Sequence, residues 1–127
     1  MNDVFTVKIQ ELDRPNKNGR IYPKSVVEEA LRRAPSTMYG TLGYPEGLAL
    51  PIDKVSHSVS NLRIEGDYLV GDAKILKTPM GAIVEKMLMN PESVAYRTMG
   101  YGMVGEDGVI SDFTIIAVAA IPAEDAA

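Results

Sequence analysis

Residues 4–12 alternate apolar and polar side chains, with Phe5, Val7 and Ile9 on one side and Val4, Thr6, Lys8 and Gln10 on the other. A period of two marks a strand with one buried face. Residues 13–23 (DRPNKNGRIYP) are rich in turn formers and predict a loop. From 24 to 33 the period lengthens. Val26, Val27, Ala30 and Leu31 form one stripe, and Glu28/Arg32 and Glu29/Arg33 stand four apart. That pattern predicts a short amphipathic helix, ended by Pro35. Residues 37–51 hold three Gly and two Pro with little periodicity, so the whole stretch is expected to be a loop.

Residues 55–64 and 68–76 read as two strands joined by the tight turn Glu65-Gly66-Asp67. Val55, His57 and Val59 share a face, and the apolar parity then switches to Leu62 and Ile64. A one-residue slip of this kind predicts a bulge near Ser60-Asn61. Thr78 and Pro79 suit the N-cap and first position of a second helix, whose stripe is Met80, Ile83, Val84, Met87 and Leu88 and whose end falls near Asn90-Pro91. Residues 93–104 and 109–121 then predict a second hairpin around Gly105-Glu106-Asp107-Gly108, its last strand apolar enough from Phe113 onward to be buried on both faces. Strands dominate and turn-linked neighbours pair antiparallel. The predicted class is mainly β (α+β): a small closed or nearly closed antiparallel β-barrel with two short packed helices.

Composition changes this picture little. The 127 residues suit a single domain over the whole chain, ending at Ala127 just past the last strand as a small stable unit. The net charge is -4 and the Lys and Arg residues are scattered, so nucleic acid is not an expected partner. No apolar run is long enough for a membrane span or a signal core, which leads us to expect a soluble chain made in the cytoplasm. The chain has no Cys and one His, so neither a disulfide nor a metal site is expected, and no cofactor is implied.

Candidate chemistry is sparse. His57 is the one imidazole and the natural place to look for a base; the alternative is a hydrogen-bonded strand residue. Residues 16–20 (NKNGR) offer charge to a partner or a plain solvated turn. Gly100 and Gly102 suit either a backbone cradle or a bulge in a strand. Met80 and Met87 fall on the apolar stripe of their helix and are assigned to the core. Met38, Tyr39, Leu48, Leu50 and Ile52 lie in or beside the long loop with no predicted element to bury them, which makes them a candidate partner-binding surface.

Several segments, taken in order, resemble the prohead (capsid maturation) proteases of tailed phages. Residues 16–23 (NKNGRIYP) look like that family's R-I/L-Y-P segment after the first strand, and residues 40–46 (GTLGYPE) look like its G-E-L-x-H-P loop. Val55-Ser56-His57 resembles its V-S-H hairpin, residues 75–81 (ILKTPMG) its I-L-x-T-P-x-G helix start, and Asp112-Phe113 the D-F of its closing strand. Residues 95–102 (AYRTMGYG) stand where it carries G-V-S-S-R-G-x-G. The resemblance spans nearly the whole chain and implies a fold similar to herpesvirus assemblins.

The resemblance also implies where catalysis would be, and those positions have changed. Tyr44 stands at the family's catalytic His, and a phenol with a pKa near ~10 is no base at neutral pH. Arg97 and Thr98 stand under the two Ser positions, and Met99 stands at the Arg that supports the oxyanion. A one-residue shift would restore an Arg at 97 but place it before the nucleophile. The expected function is therefore a non-catalytic virion protein on a prohead-protease-like scaffold: a decoration, cementing or other head-associated subunit. Its expected partners are the major capsid protein, other head proteins or a second copy, and its expected place is the virion. Two alternatives stand beside it. One is a divergent active protease with Thr98, Ser93 or Ser56 as nucleophile and His57 as base. The other is a regulatory pseudoprotease acting during head assembly.

Overall fold

The computed structural model describes residues 4–44 and 50–126. Six strands and two α-helices follow in the order β1 (Val4–Glu11), α1 (Lys24–Arg33), β2 (Thr37–Thr41), β3 (Val55–Glu65), β4 (Tyr68–Ile75), α2 (Pro79–Met87), β5 (Val94–Val104) and β6 (Ile110–Pro122). The class is as expected, mainly β with two packed helices. Both edges of α1 match to the residue, Lys24 and Arg33, and Glu29 binds both Arg32 and Arg33 in its last turn. The Arg33 guanidinium also donates to the Phe113 carbonyl at 2.8 Å, clasping α1 to β6. At the start of α2 the Thr78 hydroxyl accepts the Gly81 amide at 2.9 Å and donates to the Val55 carbonyl at 2.7 Å, so the predicted cap also anchors the helix to β3.

Residues 37–41 correct the expectation of a continuous loop. They form β2, pairing antiparallel with β3 from Thr37↔Ser60 to Thr41↔Val55. Their strand character comes from that non-local partner and is absent from their own pattern. The predicted bulge is present: the β3–β4 register shifts between Ser60 and Arg63, and Asn61 takes a φ of +54°. A second bulge lies between Lys8 and Gln10 in β1. It turns Gln10 inward, 6% exposed, although the alternation had placed it on the polar side with Lys8.

The strands form a four-stranded sheet, β1-β4-β3-β2, and a two-stranded sheet, β5-β6. They do not close into the barrel that the sequence predicts. On one side the backbones of the two sheets pair through one parallel bridge, Leu42↔Ala120, with the Gly43 amide donating to the Ala120 carbonyl at 2.7 Å. On the other side β1 and β5 face each other without a ladder. Following the antiparallel pairings and that parallel bridge around the wall makes β1 and β5 run in the same direction.

The main core lies between the sheets and under α1 and includes Ile9, Leu12, Val27, Val59, Leu69, Phe113 and Val118. A smaller cluster of Met99, Ala117, Ala119, Ile121 and Ala126 covers the opposite face of β5–β6. Thus β6 is buried on both faces, as its unbroken apolar run predicts. Among the described residues no helix is long and apolar enough to cross a membrane.

Candidate functional site

Three of the four positions that the resemblance marks as replaced converge. Tyr44 follows the Gly43 contact to β6, and Arg97 and Thr98 lie in β5 opposite Ala119 and Val118. All three line one cavity of ≈ 230 Å³, shared with Arg20, Tyr22 and Asp125. Met99 does not join them. It is 8% exposed and packs in the smaller cluster on the far side of the sheet, so no support for an oxyanion comes from that position.

The two tyrosines in this cavity are poor proton acceptors. Burial raises the Tyr44 phenol above its ordinary value; the positive charge of Arg97 works against this and the nearby Tyr22 works with it. The phenol therefore stays protonated at neutral pH and can donate a hydrogen bond but not take a proton. Arg97 is structurally engaged: its guanidinium donates to the Tyr96 carbonyl at 2.8 Å and to the Ile9 carbonyl at 3.4 Å. Ile9 is the extra residue of the β1 bulge, so Arg97 reaches across the β1–β5 seam to a carbonyl at the break in its ladder.

His57 is fully buried in β3. Its Nε2 lies 2.6 Å from the Val118 carbonyl oxygen, and its Nδ1 lies 2.7 Å from Ser56 Oγ. A carbonyl only accepts, so Nε2 carries the proton. Nδ1 then accepts from the Ser56 hydroxyl. Burial lowers the pKa of the ring, with the bond to Val118 acting in the opposite sense. The result is a neutral imidazole with both nitrogens in use. Gly40 makes room for it: a Cβ there would lie 1.7 Å from the Val118 oxygen and 2.5 Å from His57 Nε2.

The candidate nucleophiles meet the same obstacle. Ser56 is paired with His57, but its exposure is 0%, which leaves no path for a substrate. Ser93 donates to the carbonyls of Asn90 and Met87, closing the end of α2 with no base beside it. Thr98 shares its cavity with two phenols, two guanidinium groups and the Asp125 carboxylate, and the His57 lone pair faces Ser56 instead.

The candidate docking residues divide. Met38 is 3% exposed and belongs to the core, because β2 places it opposite Val59; this corrects its assignment to a loop surface. Tyr39, the next residue along, points outward and is exposed, as is Ile52. Leu50 packs partly buried against the Met99 cluster, and Leu48 lies outside the described residues. Residues 16–20 form a local turn in which Asn16 Oδ1 accepts the amides of Asn18 and Arg20. Gly100 and Gly102 flank two register shifts, and a Cβ on Gly100 would lie 2.1 Å from the Thr114 carbonyl, so close packing requires the glycine.

One feature is not visible in the sequence pattern. Tyr96 is buried against His57, its ring edge-on at 6.0 Å between centroids. Its hydroxyl has no hydrogen-bond partner, and burial pushes its pKa up to about 12. Its place in the strand alternation predicts burial but not the missing partner.

No family model matches the chain, and no curated protein matches it. Among solved structures, the bacteriophage T4 capsid assembly protease gp21 superposes with a TM-score of 0.73 at 17% identity, over 93% of this chain and 80% of that one. The fold is therefore that of a phage capsid assembly protease.

Proposed function

We propose that this chain is a non-catalytic structural component of a phage head, a decoration, cementing or head-associated subunit built on a protease-like fold. The observation that carries the reading is His57: the single imidazole of the chain is sealed in the core with both ring nitrogens bonded. With Tyr44 held protonated, the cavity beside Thr98 contains no imidazole, and Asp125 is the one carboxylate that lines it. A fold carries no activity by itself, and the head setting rests on the ordered sequence resemblance together with the likeness to the capsid assembly protease. Exposed Tyr39 and Ile52 supply apolar surface for a capsid partner.

Two measurements test this. Mass spectrometry of purified mature virions is expected to find the protein, and its absence would sink a structural role. Incubation with the capsid and scaffold proteins of the same phage is expected to give no cleavage. Specific cleavage lost in Thr98→Ala would establish the protease reading instead. Presence in proheads with absence from mature particles would point to a regulatory pseudoprotease.

A further inference from the structure

The cavity that holds Tyr44 and Thr98 is built mostly from hydrogen-bond donors. Arg20, Tyr22, Tyr44, Arg97 and Thr98 bring donors to it, and Asp125 brings its one carboxylate. Burial raises the Tyr22 phenol, with Arg20 acting in the opposite sense, and Tyr44 is raised likewise, so both hydroxyls keep their protons at neutral pH. Among the described residues the side chains of Arg20, Tyr44, Thr98 and Asp125 and the Tyr22 hydroxyl make no hydrogen bond or ion pair within the chain, so their bonding capacity goes to whatever fills the cavity. Gln10 adds a second sign. Its side chain is 6% exposed and borders the same space, yet its amide has one bond, to the Glu11 carbonyl at 3.5 Å, longer than an ordinary N–H···O bond. The donors are also held in place. Asn16 Oδ1 accepts the amides of Asn18 and Arg20 at 2.9 Å and 3.1 Å, which fixes the turn that carries Arg20. The Tyr22 ring packs edge-on against Phe113. Arg97 stays on its carbonyls across the seam and contributes charge alone.

We propose that this cavity binds a phosphate group that carries a proton, as inorganic phosphate or as a phosphate monoester. The charges of Arg20 and Arg97 and the hydroxyls of Tyr22, Tyr44 and Thr98 serve its oxygens, and Asp125 accepts from its P–OH. The lone acid sets the choice of anion. A carboxylate or a sulfate at neutral pH has no proton to give, so either one meets Asp125 as an unrelieved like charge. A protonated phosphate turns that contact into a hydrogen bond and keeps at least one negative charge for the arginines. The volume of ≈ 230 Å³ takes one such group with water beside it. Arg20 and Tyr44 are exposed, so the cavity opens to solvent there and the rest of a monoester can stay outside. The proposal concerns the cavity of the non-catalytic reading but rests neither on that reading nor on the head setting.

The test is isothermal titration of the full chain at about pH 6, where a phosphate monoester keeps roughly half of its last proton. Inorganic phosphate and phenyl phosphate are expected to bind saturably, with sulfate and acetate at least about ten-fold weaker. Arg20→Gln, at an exposed position, is expected to fold as the native chain does and to weaken phosphate about ten-fold. Asp125→Asn removes the like charge and is expected to strengthen sulfate about ten-fold while phosphate changes less. Tighter binding of inorganic phosphate than of the monoester assigns the cavity to the free ion, and the reverse order assigns it to a monoester on a larger molecule. Absence of saturable phosphate binding, equal affinity of the native chain for sulfate and phosphate, or unchanged phosphate affinity in Arg20→Gln overturns the proposal. None of these outcomes depends on whether virions contain the chain or whether it cleaves capsid proteins.

Discussion

His57 Nε2 lies 2.6 Å from the carbonyl oxygen of Val118, a link between the four-stranded sheet and β6 made by a side chain. The two residues are 61 apart in sequence, and the bond passes over Gly40, the residue beside them in β2. Removing the ring leaves the Val118 carbonyl and the Ser56 hydroxyl unpaired in the core, with a void between them. His57→Ala is expected to cost roughly 3–5 kcal/mol of stability, read from urea unfolding. Equal stability of the variant would show that the link carries little.

The same bond predicts a pH dependence with a definite sign. The folded state holds the imidazole pKa below its ordinary 6.5, so below that pH the unfolded chain binds the proton more readily. Stability is full above about pH 6.5 and falls as the pH drops towards the lowered folded value, by at most about 1.4 kcal/mol per pH unit. Asp72 also has a lowered pKa, held down chiefly by Asn61, with Arg63 and Thr6 assisting, but its effect begins below its ordinary 3.8. Unfolding midpoints measured between pH 7.5 and 5.5 are therefore expected to decline in the native chain and stay flat in His57→Gln. A decline of equal size in both would assign the effect to other groups.

Two glycines separate steric need from backbone need. Gly40→Ala drives a Cβ into the Val118 carbonyl and the His57 ring, and backbone cannot step aside as a side-chain tip can. The expected cost is about 3 kcal/mol, or failure to fold. Gly43 has a φ of +83° and open space around it, so Gly43→Ala meets only the left-handed penalty of about 1 kcal/mol. Thermal melts of the pair check the ranking, and a reversed order would contradict the close approach at Gly40.

Tyr96 predicts a change of opposite direction. Its buried hydroxyl lacks a partner, so folding loses the hydration of that group and regains nothing. Tyr96→Phe keeps the ring and its edge-on contact with His57, and is expected to raise stability by about 1 kcal/mol. A lower melting temperature in the variant would show that the hydroxyl is satisfied in solution.

Much of this fold is legible in the sequence, for local reasons. The bounds of α1, the Thr78 cap, the Gly66 turn and the bulge after Ser60 each follow from a few adjacent residues. β2 does not, because Gly40 and its neighbours become a strand only against β3. Gln10 misleads for a related reason: one extra residue at Ile9 inverts the alternation behind it. Barrel closure depends on how far apart β1 and β5 stand, and no short pattern encodes that distance. In the candidate site, the meeting of Tyr44, Arg97 and Thr98 accords with their ordered positions in the resemblance. The packing of Met99 on the outer face of β5–β6 and the sealing of His57 depend on partners along β6, which the sequence shows only as an apolar run.

Chemical labelling tests the absence of a working nucleophile directly. A fluorophosphonate probe reacts with a hydroxyl only where a base activates it and the probe can reach it. Ser56 has the base but no access, Ser93 has carbonyl partners in place of a base, and Thr98 has a cavity lined by two tyrosines, two arginines and the Asp125 carboxylate but no imidazole. The native chain is expected to remain unlabelled at pH 7–8, as judged by intact mass. The double variant Tyr44→His, Thr98→Ser places an imidazole and a primary hydroxyl in that same cavity. Arg97 beside the new ring disfavours its charged form, which keeps the lone pair available. Slow labelling at position 98 is expected in this variant alone. Labelling of the native chain at Thr98, or at Ser56, would mean that an activated hydroxyl survives and that the non-catalytic reading is wrong.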